Sequence, residues 1–187
     1  NILIAGSYHG FNIYQLNENG IPNLISSVVC PGGQGDVSIV GDLLIMSVEE
    51  NRSRLDCGLE GVNSDSSPER FRGIRIFDVS NLSKPKQVGA VQTCRGSHTH
   101  SVVSTTKDNK IIVYNSGTGR VRDNDEKAEC FGWDGGGSSY FSIDVIEIPI
   151  NNPSDSRIVK SPKVFMDLET GNVCLLYTSD AADDVLC

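Results

Sequence analysis

The chain has 187 residues, with 16 Lys and Arg against 24 Asp and Glu and a formal net charge of −8. At 38% apolar and 21% charged residues it reads as a globular chain, not a disordered one. No apolar run reaches the roughly 18 residues of a membrane helix, and an acidic sequence without a basic run argues against nucleic acid and anionic membranes as partners.

Nineteen glycines, seven prolines and abundant Val, Ile and Ser predict a turn-rich, all-β chain. Ile2-Leu3-Ile4-Ala5 is a strand already under way at the first residues, so there is no signal peptide to read. Gly10-Phe11-Asn12-Ile13-Tyr14-Gln15-Leu16 alternates as a second strand, and residues 23–29 follow as a third. Residues 36–40 and 43–48 form a hairpin across Gly41-Asp42. Gly73-Ile74-Arg75-Ile76-Phe77-Asp78-Val79 and residues 87–92 come next. Residues 101–105 and 110–115 form a second hairpin across Lys107-Asp108-Asn109, followed by strands at 143–148 and 157–164.

The pattern repeats. Gly10–Leu16, residues 73–79 and residues 143–148 share one alternating form. Each is followed by a polar turn with a proline (Pro22, Pro85, Pro153) and then by another short strand. One unit is four antiparallel strands, A to D. Complete units span 36–92 and 100–164, and residues 1–29 supply strands B, C and D of a third. Tandem four-stranded units are the signature of a β-propeller. A blade buries its faces only against neighbours, so the chain is expected to be part of a propeller with more blades on both sides.

Gly73-Ile74-Arg75-Ile76-Phe77-Asp78-Val79-Ser80-Asn81-Leu82-Ser83-Lys84-Pro85 resembles the LVIVD repeat of bacterial β-propeller proteins. The likeness is strongest at 73–92 and weaker at 10–29 and 143–164. It implies the fold and an exported location (extracellular, periplasmic or cell-surface) and no specific reaction. The end of the chain has a different resemblance. Residues 174–184, Cys-Leu-Leu-Tyr-Thr-Ser-Asp-Ala-Ala-Asp-Asp, look like the translation of a sequencing adapter, so 174–187 is expected to be a non-native tail and 1–173 the propeller fragment. Setting the tail aside drops Cys174 and Cys187 and leaves four cysteines.

Strands alternate in direction, so the B-to-C and D-to-A connections of every unit share one side. Cys30 and Cys94 fall in D-to-A connections, and Cys57 and Cys130 in long B-to-C connections at 49–72 and about 116–140. His9, His98 and His100 fall on the same side. Loops of that length are usually functional or disordered, which makes this the expected working face. Four cysteines allow three pairings. The order common to both units favours Cys30 with Cys57 and Cys94 with Cys130, hence an oxidising compartment; four free thiols are the alternative. No Cys-x-x-Cys spacing suggests zinc.

His98-Thr99-His100 is the sharpest motif, because residues two apart in a strand point the same way. With Asp36 and His9 the pair offers ligands for a divalent metal such as Zn, Cu, Fe or Mn; the plainer reading is that both rings bond to loop carbonyls or solvent. Asp123, Asn124, Asp125, Glu126, Glu129 and Asp134 offer oxygens to calcium, but without the EF-hand spacing they read as a solvated acidic loop. Ser97, His98 and Asp36 contain the residue types of a Ser-His-Asp triad, yet no strained nucleophile is marked. The glycine-rich stretches at 32–35 and 135–137 lack phosphate-loop spacing. Phe71, Phe131, Trp133 and Tyr140, in or beside the long loops, either anchor a partner or pin the loops to the blades.

The expectation is therefore an exported propeller module that binds a protein or glycan through a disulfide-tied face, without a cofactor. The alternative is a metal-dependent propeller enzyme, and a third possibility is a purely structural cell-surface module.

Overall fold

The structure is a computed structural model that describes residues 1–105, 108–132, 139–140 and 142–164. Trp133, Asp134 and the adapter-like tail lie outside the described residues. The chain is all-β and forms three antiparallel sheets. The first is β1 (Ile2–Ser7), β2 (Gly10–Leu16) and β3 (Pro22–Val29), paired in that order. The second is β4 (Val37–Val40), β5 (Leu43–Val48), β6 (Gly73–Asp78) and β7 (Lys86–Gln92). The third is β8 (Thr99–Thr105), β9 (Lys110–Ser116), β10 (Asp144–Pro149) and β11 (Arg157–Lys160). Each sheet is a meander in which every strand pairs with the next in sequence.

Two local features recur. Gly10 and Gly73 open β2 and β6 with φ of 132° and 145°. A Cβ at either would stand 2.0 Å from a carbonyl oxygen of the next strand, Val28 or Val91, so both positions require glycine. The ladders β2/β3 and β6/β7 each shift register after the third residue beyond that glycine, at Ile13/Tyr14 and Ile76/Phe77.

The last strand is shorter than its sequence predicts. It stops at Lys160 instead of residue 164, because Pro162 has no N–H to give the ladder. The Pro162 carbonyl accepts from the Ile143 amide, and Ser161 Oγ donates to Asp144. The turn before it tightens into one 3-10 turn at Pro153–Asp155. That turn rests on Gly89 of β7, where a Cβ would lie 2.3 Å from the Pro153 carbonyl oxygen.

The sheets stack, and the middle one is covered on both faces. All six residues of β5 are buried. Leu44 and Met46 join Phe11 and Ile13 of the first sheet, with Phe77 set edge-on to Phe11 at 5.0 Å between ring centres. Leu43 and Ile45 face the other way and join Ile74, Ile76 and Val91 to Ile111, Val113, Ile146 and Ile148 of the third sheet. Each fully buried side chain of this size contributes about 1.5–3 kcal/mol. Among the described residues, nothing gives the outer sheets such a second cover. Leu3, Tyr14 and Leu24 form one cross-strand row, of which Leu3 and Leu24 are exposed, as are Tyr114 and Val159 on the third sheet.

Candidate functional site

The four connections at one end of the sheets interlock. Between sheets, residues 30–36 and 93–98 cross over; within sheets, the long loops 49–72 and 117–143 join β5 to β6 and β9 to β10. The Glu49 and Glu50 amides bond to Gly32 O, Ser97 N bonds to Val48 O, and Arg122 N bonds to Cys94 O. Disulfides Cys30–Cys57 and Cys94–Cys130 tie each long loop to a crossover. They close loops of 27 and 36 residues, worth about 3.5 kcal/mol each in the chain-entropy model.

Arginines do the rest of the clamping. Arg75 sits in the middle of β6 among apolar neighbours and is fully buried. Its guanidinium lies 4.3 Å over the Phe71 ring and donates to Gln87 Oε1 at 3.0 Å and to the Leu55 and Arg54 carbonyls of the first long loop. Burial lowers its pKa to about 10, so it stays charged at neutral pH. Phe71 is therefore a packing residue under Arg75, not an exposed anchor. Of the other aromatics, Phe131 is 40% exposed, and Tyr140 carries the Arg95 guanidinium 4.9 Å from its ring centre.

The second clamp centres on Glu126, whose side chain is fully buried. Arg122 Nε donates to Glu126 Oε1 at 2.5 Å, and Arg70 Nη1 donates to Oε2. The Ser67 amide adds a third bond at 3.3 Å. Arg122 also reaches Gln92 Oε1 and the Arg70 carbonyl, while Arg70 holds the Asn51, Ser64 and Asp65 carbonyls. Glu126 is thus the bolt between the two long loops, not part of a solvated or calcium-binding run. Asn124 Oδ1 is likewise engaged, by the Glu129 amide.

The histidines have different partners. His98 Nδ1 donates to Glu49 Oε2 at 2.8 Å, and Glu49 Oε1 accepts from Thr118 of the second loop. Burial opposes ionisation of Glu49, but the hydrogen bonds from Thr118 and His98 outweigh it and hold its pKa below the usual carboxylate range. His100 is buried, and its Nδ1 lies 2.7 Å from Ser47 Oγ, which lies 2.7 Å from Ser97 Oγ. Burial lowers the His100 pKa, against a smaller opposing pull from Asp36. His9 and Asp36 are exposed. Among the described residues, no group of three or more His, Cys, Asp or Glu side chains is placed to hold a metal ion. Ser97, His98 and Asp36 do not line up as a triad either, since Ser97 bonds to Ser47 and His98 to Glu49.

Two hollows open at this end. A groove of about 520 Å³ runs between β7 and the third sheet, with Arg95, Lys127, Asp144 and Arg157 on its walls. Burial pushes the Asp144 carboxyl upward against hydrogen bonds from Ser161 and Asn115. A cleft of about 250 Å³ lies between the two long loops, lined by Asn51, Arg52, Asn63, Arg70, Arg72 and Arg120 among others.

The arginine cluster escaped sequence reasoning because its members are about fifty positions apart in the chain. Two signals were available. Arg70-Phe71-Arg72 and Arg120-Val121-Arg122 are matching tripeptides whose central apolar residues are both buried, and Arg75 interrupts an otherwise apolar strand. No described helix is long and apolar enough to cross a membrane. Comparison with known protein families, with curated proteins and with solved structures finds no match for this chain.

Proposed function

We propose that the chain is a run of consecutive blades from an exported β-propeller of the LVIVD-repeat type, and that it binds a protein or glycan through its loop end. Four-strand meanders, glycine-opened strands with matching bulges and exposed apolar faces on both outer sheets support the propeller reading. Two disulfides support an extracellular or periplasmic location.

The observation that carries the binding function is the mutual clamping of the long loops by Arg70, Glu126 and Arg122. A surface fixed in advance binds without the cost of ordering its side chains and backbone. The metal-dependent alternative has no comparable support: among the described residues Nε2 of His98 and of His100 stays open, but no group of three or more His, Cys, Asp or Glu side chains is placed to hold a metal ion.

Glycan and peptide arrays probed with the oxidised chain test this reading. A ligand bound by the parent and lost in the Cys57→Ser/Cys130→Ser double variant supports it. Binding indifferent to the two disulfides, or none on either array, contradicts it.

A further inference from the structure

We propose that the cleft between the two long loops is an oxyanion site, taking sulfate, phosphate or the carboxylate of a small organic acid. The inference rests on reading the loop end as a binding surface. Five arginines line the cleft: Arg52, Arg70, Arg72, Arg120 and Arg122. Only Asp65 and Asp123 oppose them in the lining, with Glu126 behind. In a chain of net charge −8 this inverts the average surface, and such a pocket concentrates anions.

Arg70 and Arg122 are engaged by Glu126 and by backbone carbonyls. Arg72 is not. It is 2% exposed and forms no ion pair among the described residues. Its hydrogen bond runs from Nη1 to the Arg120 carbonyl at 2.8 Å, and its Nε is buried without a partner. A buried cation without a paired carboxylate is unfavourable, and Glu126 and Glu49 act on Arg72 without contacting it. With Nη1 taken, Nε and Nη2 remain, the parallel pair of donors that matches two oxygens of one anion. Burial lowers the Arg72 pKa to about 10; Arg122 and Arg70 repel its charge, Glu126 and Glu49 offset them in part, and a bound anion would add to that offset. Asn51, Asn63 and Ser64 add neutral polar groups to the wall, and exposed Arg52 and Arg120 add charge at its accessible edge.

The test is calorimetric titration of the oxidised chain with sulfate, phosphate and acetate, each at constant ionic strength set with chloride. The expected result is saturable binding of at least one of them, one per chain. Arg72→Gln should weaken it at least about tenfold, the loss of one bidentate charged contact. Arg120→Gln, which changes an exposed side chain and keeps the fold, should weaken it about threefold; Arg157→Gln, outside the cleft, should change nothing. Binding confined to sulfate and phosphate assigns the site to tetrahedral anions, and binding of acetate assigns it to organic acids. No saturable heat beyond chloride for any of the three, or equal binding in Arg120→Gln and the parent, would overturn the proposal. Loop-dependent ligands on the arrays alongside silent titrations would remove the oxyanion site and leave the binding surface standing.

Discussion

The stacked sheets and the loop end of this molecule are held together by different forces. Between the sheets the contacts are apolar, from Phe11 and Leu44 on one side of the middle sheet to Ile45 and Ile146 on the other. At the loop end they are guanidinium to carboxylate, guanidinium to carbonyl, and sulfur to sulfur. Apolar burial tolerates repetition, since any sheet of similar volume serves. Arginine clamps are directional and specify one arrangement of two long loops. The sheets thus supply a scaffold, and the loop end supplies the individual surface built on it.

Substitutions in the two regions should fail differently. The largest effect is expected from Glu126→Gln. It leaves Arg70 and Arg122 buried without their counter-ion, and breaking a buried pair costs about 3–5 kcal/mol. The loss should be confined to the loop end, so proteolysis should cut within 49–72 or 117–132 while the far-ultraviolet strand signal persists. Ile45→Ala should cost about 3 kcal/mol through the cavity it leaves between the second and third sheets. Here urea unfolding should shift as one transition, with no new cleavage site in the loops.

His100 supplies a smaller, pH-dependent difference. Folded His100 resists protonation, and the unfolded chain takes up a proton below the ordinary value of 6.5. Its contribution is therefore complete above pH 6.5 and is lost as pH falls from there through the lower folded value. The slope is at most about 1.4 kcal/mol per pH unit. Subtracting the urea midpoints of His100→Gln from those of the parent, at neutral pH and at mildly acid pH, should reveal that slope; identical pH profiles would show that His100 does not titrate against folding. The smallest effect is expected from Leu24→Ser on the uncovered face of the first sheet, within about 0.5 kcal/mol of the parent. A loss comparable to that of Ile45→Ala would mean that this face is covered after all.

Much of the scaffold was legible in the sequence, because alternation and turn residues report directly on strands. β2, β5, β6 and β9 lie where period-two patterning puts them, and the hairpin across Gly41-Asp42 forms as its turn residues imply. The end of β11 was misjudged because Pro162 weighs more than the apolar run around it. The cysteine pairs join as the order of strands suggested, since a disulfide needs only that the topology bring two positions together. The arginine clamps were not legible. Glu126 reads as one more acid in Asp123-Asn124-Asp125-Glu126, and only the fold shows that it is buried between two cations. The histidines were legible only as a pair: adjacency in sequence draws attention to His98 and His100, whereas the fold gives their Nδ1 atoms different partners, Glu49 and Ser47.

The most direct test is hydrogen exchange of the oxidised parent beside Glu126→Gln. In the parent the Phe71, Val62 and Arg122 amides, each bonded to a backbone carbonyl, should exchange slowly, nearly as slowly as β5 and β6. In the variant those loop amides should exchange fast while the strands remain protected. Fast exchange of the loop amides in the parent itself would contradict a loop end fixed in advance of binding.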